Sequence, residues 1–186
     1  MNTLKTAGIL FALFTLLLGV VYPLAMTGIA QVVFPHKANG SLLIRHGKMV
    51  GSELIGQRFT RDEYFHGRPS AVNYDGAGSG ASNYGPTEPT LQEQIAQRIT
   101  AIRASNALAQ DQPIPADMVT ASASGLDPHL SVDAALLQIP RIAKARQMDE
   151  AAIRALISTH TETPLLSAPH VNVLQLNLAL DNLKPL

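Results

Sequence analysis

From Ala7 to Phe34 the chain reads AGILFALFTLLLGVVYPLAMTGIAQVVF, without a charge and with Gln31 as its only strongly polar side chain. A spanning helix needs about 20 apolar residues, so this run can cross a bilayer with tilt or continue past the interface. Pro23 has no amide hydrogen and is expected to kink the helix near Gly19 to Tyr22. Gly8, Gly19, Ala25 and Gly28 are small residues of the kind that let another helix approach closely. The competing reading is a cleaved signal peptide, with Gly28-Ile29-Ala30 as a small-x-small cleavage site. The apolar stretch far exceeds the roughly 7–15 residues of a signal core, which favours a retained anchor. The tail before it carries Lys5 and His36 and Lys37 follow it, a slight bias. A short tail left in the cytoplasm places the larger domain outside.

Beyond Pro35 the pattern changes. Ser41 to Ile44 and Met49 to Ile55 are short apolar-rich runs around Arg45-His46-Gly47-Lys48, which predicts a β-hairpin with Gly at the turn. Phe59 to Phe65 mixes aromatic and charged residues. His66 to Thr90 holds five Gly and three Pro in 25 residues, a loop of the length that tends to serve function or a partner. Tyr74 and Tyr84 give it aromatic anchors that a bare linker would not use. Leu91, Ile95, Ile99 and Ile102 mark one face of a helix. Asn106 to Pro115 reads as a loop, Asp117 to Ala121 as a short strand, and Ser124 to His129 as a turn. Ser131 is a candidate N-cap for a helix through Ala134, Leu137 and Ile139, which Pro140 should break. Asp149 can cap a further helix with Ile153, Leu156 and Ile157 inward. Val171 to Leu183 fits a strand or a helix; its Leu, Ala, Asn and Asp composition favours a helix, with Asn172 as cap. The expected class is α+β: one N-terminal transmembrane helix, then a single small, mostly helical α+β soluble domain. The expected division is a tail at 1–6, the membrane helix at 7–34 and an extracytoplasmic domain at 35–186.

Charge narrows the function. The chain has 14 Lys and Arg against 14 Asp and Glu. Since only Lys5 precedes Pro35, the rest carries 13 bases against the 14 acids. Such a balance does not suit a nucleic-acid binder, which needs a basic footprint, nor a polybasic lipid-binding surface. With no Cys, thiolate chemistry, disulfides and Cys-based zinc sites are excluded. Gly76-Ala77-Gly78-Ser79-Gly80-Ala81 spells the dinucleotide fingerprint but lacks the preceding strand, and Pro86 follows where a helix should open. Gly47-Lys48 is followed by Met49 and lacks the upstream Gly of a phosphate-cradling loop. His36, His46, His66, His129, His160 and His170 show no metal-binding spacing, so each is expected to be structural or at the surface. Ser82, His129 and Asp127 could in principle assemble a hydrolase trio, and an anchored adhesion or scaffold domain is a further reading. No metal site and no catalytic residue are expected in this chain alone.

The residues taken in order resemble the C subunit of the Kdp potassium-transporting P-type ATPase. The matching stretches include Tyr22-Pro23-Leu24, Ala30-Gln31, Phe34-Pro35, Gly40-Ser41-Leu42-Leu43 and Gly51-Ser52-Glu53-Leu54-Ile55-Gly56-Gln57. They continue through Arg68-Pro69-Ser70-Ala71, Ser82-Asn83, Gly85-Pro86-Thr87 and Val119 to His129. Gln138 with Arg141, Ala145-Arg146, Asn172-Val173-Leu174 and Leu176 to Asp181 complete the set. The resemblance implies an accessory subunit of a potassium import complex in the bacterial inner membrane; the single pass and the periplasmic side of the domain are the expectations drawn from the anchor and its flanking charges. The implied partners are a channel-like potassium-binding subunit, a P-type ATPase subunit, a small one-helix subunit and membrane lipid, with no nucleic acid. Potassium would be carried by the partners. The chain has neither the Asp-Lys-Thr-Gly phosphorylation motif nor a carbonyl-ring filter sequence. Two mechanisms are implied: a catalytic chaperone that raises the pump's ATP affinity, and an extracytoplasmic cap over the channel-like subunit. The chain itself holds no cofactor; ATP would be reached through the complex, with Ser79, Gly80, Ser82, Asn83 and Gln147 as candidate contacts, although none of these stretches spells the Leu-Ser-Gly-Gly-Gln signature. Pro23, Gly28, Tyr74, Asn83 and Tyr84 are the candidate partner contacts.

Overall fold

The run of apolar residues without a charge becomes one continuous helix, because inside lipid the backbone must satisfy its own hydrogen bonds. In the computed structural model, which describes residues 2–45 and 47–185, this helix covers Thr3–Val33. Helix α1 (Thr3–Leu16) passes through a π-helical turn, Leu17–Val21, into α2 (Tyr22–Val33). The widened turn has a local cause. The Pro23 ring crowds the carbonyl four residues back, at Gly19, and cannot donate to it. Thr27 Oγ1 donates to the Pro23 carbonyl at 2.8 Å. Helix α3 (Pro35–Ala38) follows, and Asn39 Nδ2 donates to Gln31 Oε1 at 3.1 Å. The one strongly polar side chain of the apolar run thus finds its partner at the helix exit. Strands β1 (Leu42–Arg45) and β2 (Lys48–Ser52) form the expected hairpin. His46, expected in its turn, lies outside the described residues.

The chain divides into two compact units, one ending at Val50 and one running from Gly51. The second unit holds α4 (Pro89–Asn106), α5 (Ala116–Val119), β3 (His129–Ser131), α6 (Val132–Leu137), α7 (Ile139–Arg146), α8 (Glu150–Thr159), β4 (Thr161–Glu162), β5 (His170–Asn172) and α9 (Val173–Leu183). The three short strands make an antiparallel sheet in the order β3-β5-β4. Leu130 faces Val171 across the first pair, and Thr161 faces Val171 across the second. Leu130 and Val171 are buried and join Phe65, Ala134, Ala135, Ile139, Ile142, Ile153, Ile157, Leu176 and Leu180 in the core. The helices and strands together are the α+β class expected, with one N-terminal helix long and apolar enough to cross a membrane.

The caps follow the sequence. Ser131 Oγ accepts from the Ala134 amide, Asp149 from Ala151, and Asn172 Oδ1 from Gln175 at 3.1 Å. Asn172 also donates to the Glu53 carbonyl at 2.7 Å, tying the start of α9 to the chain leaving β2. Asn172→Ala is expected to cost about 1–2 kcal/mol, a cap plus one buried bond. A thermal-unfolding midpoint equal to that of the parent chain would show that neither bond contributes.

One expectation fails for a local reason, and another is met with an addition. Asp117 to Ala121 is not a strand; its first three residues lie in α5, one helical turn. Thr120 Oγ1 bonds back to the Ala116 carbonyl and Pro115 opens the turn, so backbone groups that a ladder would need are already used. Pro140 breaks the helix after Ser131 but also lies in the first turn of α7, where its missing amide costs nothing.

Candidate functional site

The segment Arg61 to His66 has no strand partner, yet its backbone is held from both sides by side chains. Asn177 Oδ1 accepts from the Phe65 amide at 2.8 Å, and Asn177 Nδ2 donates to the Phe65 carbonyl at 3.0 Å. Gln138 repeats the pattern on His66, accepting at 2.8 Å and donating at 3.1 Å. Each amide imitates a neighbouring strand, which satisfies groups that burial would otherwise leave orphaned. Arg141 reaches the carbonyls of Asp62 and Tyr64, Gln138 Oε1 and Asn106 Oδ1. Arg146 reaches the carbonyls of Glu63 and Lys184, pairs with Asp181 at 2.6 Å, and lies over the Tyr64 ring at 4.9 Å. Tyr64 Oη completes the cluster by donating to Asp181 at 3.2 Å. Burial, with the Arg141 charge second, pushes the His66 pKa down.

The Gly-rich loop that follows is fastened to the turn before β3. Ser70 Oγ donates to the Gly125 carbonyl at 2.6 Å and accepts from the amides of Val72 and Tyr74. Gly80 N and Ser79 Oγ both donate to the Ser124 carbonyl, at 2.9 and 3.0 Å. Arg68 pairs with Asp127 at 2.9 Å, while its buried Nε has no hydrogen-bond partner among the described residues. Burial alone would raise the Asp127 carboxyl; hydrogen bonds from His129 and Arg68, together with the Arg68 charge, outweigh it and hold the pKa down at about 2. Tyr74 Oη donates to the Arg68 carbonyl, and its ring lies so near that a Cβ on Gly56 would meet it at 3.0 Å. Burial, with the Asp127 charge second, pushes the Tyr74 pKa up.

The candidate residues therefore separate into groups. Ser79 and Gly80 share one carbonyl, and both are spent on it. Ser82 and Asn83 follow them, with Asn83 exposed in the left-handed conformation and bonded to the Ala81 carbonyl. Gln147 is the left-handed cap of α7, its own carbonyl accepting from Lys184 Nζ at 3.0 Å. Among the described residues no hydrogen bond joins it to the loop. Tyr74 is an internal anchor of the loop, whereas Tyr84 is exposed. Pro23 lies just after the π-helical turn, and a Cβ on Gly28 would meet nothing within 4 Å. The hydrolase trio does not assemble: the cleft around Asp127 and His129 is lined by Ser131, the cap of α6, and not by Ser82.

Sequence reasoning did not foresee the amide and guanidinium clamp, nor that two histidines would meet. His129 and His170, on different strands, lie with ring centroids 4.4 Å apart. The other described histidines do not join them: His66 bonds to the Arg61 carbonyl and His160 to that of Leu156, and His36 lies in α3.

The chain thus joins a helix long and apolar enough to cross a membrane to a small α+β domain with buried polar side chains that hold its own backbone. Comparison with known proteins makes this specific. The family described as "KdpC: K+-transporting ATPase, c chain" matches residues 4–182. A Rhodospirillum rubrum protein named potassium-transporting ATPase KdpC subunit is 51% identical over 191 residues, covering 100% of this chain and 98% of its own. Its namesake from Dechloromonas aromatica is 50% identical over 185 residues, 96% of each chain. That from Polaromonas naphthalenivorans is 51% identical over 193 residues, 99% of this chain and 96% of its own. The chain belongs to the KdpC family.

Proposed function

We propose that this chain is the accessory subunit of an ATP-driven potassium import complex of the bacterial inner membrane, aiding its assembly and coupling and performing no chemistry alone. The observation that carries this reading is the family match over residues 4–182, which includes the apolar helix together with the domain. The helix suits retention and packing: its apolar window has no buried residue, and at Gly8, Gly19 and Gly28 a Cβ would meet nothing within 4 Å. Those positions, with Pro23, form the surface for partner helices of the channel-like, P-type ATPase and one-helix subunits.

The domain is assigned to the periplasm, as a cap on the channel-like subunit through the exposed Asn83 and Tyr84, with Tyr74 bracing the loop from within. What supports a cap over direct nucleotide contact is the state of the candidate nucleotide residues. The Gly80 amide, which a phosphate would need, already donates to Ser124. A reporter active only outside the cytoplasm, fused after Leu186, is expected to be active. Activity of a cytoplasm-only reporter there would defeat the cap and revive contact with ATP. Deletion of the gene is expected to abolish growth in micromolar potassium, together with complex-dependent ATP hydrolysis. Unchanged growth would refute the accessory role.

A further inference from the structure

We propose that His129, His170 and Glu162 form a binding site for a zinc-type divalent ion on the outward face of the three-stranded sheet. The register brings them together. In β5, Val171 points into the core with Leu130 of β3, so His170 points out. Glu162 lies directly across from His170, and Ser131 across from it on the other side. His129 is two residues before Ser131, on the same face and diagonal to His170. The three ligand atoms lie within 4.8 Å of one another, and His170 Nε2 is 3.8 Å from Glu162 Oε2.

Geometry alone would be a weak argument, since surface histidines often meet. The outer hydrogen bonds strengthen it. A ligating imidazole binds metal through one nitrogen while the other donates to a carbonyl or carboxylate, which fixes the tautomer and the ring. His170 Nδ1 is 2.9 Å from the Ala168 carbonyl, which leaves Nε2 for an ion. His129 Nδ1 is 3.5 Å from Asp127 Oδ1, which leaves its Nε2 as well. Asp127 is in turn held by Arg68. The His170 ring is thus held by a hydrogen bond on the side away from Nε2, and the His129 ring by a longer charge contact to a carboxylate. Ligands about 2.0–2.1 Å from a tetrahedral ion would stand about 3.3 Å apart, so the present spacing needs only a modest contraction. The set of two imidazoles and one carboxylate suits zinc and other late transition metals better than magnesium or calcium, which prefer oxygen. His129 and His170 line a cleft of about 250 Å³, and the Glu162 side chain is half exposed, so an ion can enter and one coordination position stays open to water.

The site would also act on the chain beside it. Glu162 and His170 bracket the segment that carries Leu165 and Leu166, which are 97% and 95% exposed. The β4–β5 pairing already closes that segment, and an ion shared by the two bracketing residues would further restrict its opening.

The test uses the full-length chain in detergent, without a polyhistidine tag and stripped by chelator. Calorimetric titration with zinc chloride is expected to show one saturable site per chain, and magnesium chloride no comparable binding. His170→Ala and Glu162→Gln are each expected to weaken zinc at least tenfold, and His160→Ala, outside the cluster, to leave affinity unchanged. Zinc should also slow proteolytic cleavage at Leu165 to Ser167 in the parent chain and not in His129→Ala, whose circular dichroism reports whether it is folded. Equal zinc affinity in a His129→Ala/His170→Ala double variant, no saturable binding by the folded parent chain, or magnesium binding as tight as zinc would each overturn the site.

Discussion

Arg146→Ala is expected to destabilise the domain by about 3–5 kcal/mol, the cost of breaking a buried ion pair by removing one partner. The guanidinium side chain has no exposed surface, and its partner carboxylate, on Asp181, is 17% exposed. Its loss leaves that charge without its arginine, strands the Glu63 and Lys184 carbonyls, and removes the cation from the face of Tyr64. For a domain of this size the unfolding midpoint of the full chain in detergent should fall by about 10 °C or more. Arg146→Lys should recover only part of this, because an ammonium cannot make three in-plane hydrogen bonds and also stack its face on Tyr64. Arg61→Ala is the contrast. Arg61 also makes an ion pair, with Glu63 at 3.1 Å, but its side chain is 60% exposed. Water and salt screen such a pair, so its removal should leave the midpoint unchanged. Equal midpoints for the Arg146 and Arg61 variants would show that the clamp does not hold the fold.

The second large effect is expected at Gly125, where backbone and neighbours act together. Its φ of +66° lies in the left-handed region, and a Cβ there would come within 2.6 Å of Val72 Cγ2 and 2.7 Å of the Gly80 carbonyl oxygen. Gly125→Ala should therefore cost about 2–3 kcal/mol, from the left-handed conformation and the forced approach. One of the two neighbours that must move is the Gly80 backbone, so relief comes by lifting the loop. That breaks the Gly80–Ser124 and Ser70–Gly125 bonds. New protease cleavage between Val72 and Tyr84 is the expected sign, with a smaller fall in the midpoint than for Arg146→Ala and weaker co-purification with the transport complex. Gly76→Ala, where nothing lies within 4 Å, should change none of these. A Gly125→Ala chain as protease-resistant as its parent would mean that the loop is not held where the bonds place it.

These two variants also bear on the resemblance. Gln138, Arg141, Arg146, Asn177 and Asp181, all within its matching stretches, serve the clamp on residues 61 to 66. Gly125 and Asp127 serve the docking of the loop. Those two stretches are accounted for by folding, with no ligand needed. Position in the sequence therefore says little by itself about contact with nucleotide or partner.

The sequence alone determined what depends on neighbours. An unbroken apolar run specifies a membrane-length helix, because the 28 uncharged residues from Ala7 to Phe34 leave the backbone no better solution in lipid. Spacing of three and four, with Ser131, Asp149 and Asn172 ahead of it, located α6, α8 and α9, since a cap acts within three residues of itself. The Pro23 disturbance was equally local. Short-range competition also explains the mistaken strand at Asp117, where a side-chain bond to the fourth residue back tipped a weak preference.

Tertiary structure alone decided the rest. Gln138 meets His66 across 72 positions and Asn177 meets Phe65 across 112. Glu162 meets His170, and His170 meets His129, only because three strands of two or three residues align in one register. No periodicity encodes such pairs, because each exists only after the burial of Leu130, Val171 and Phe65 has brought distant segments together.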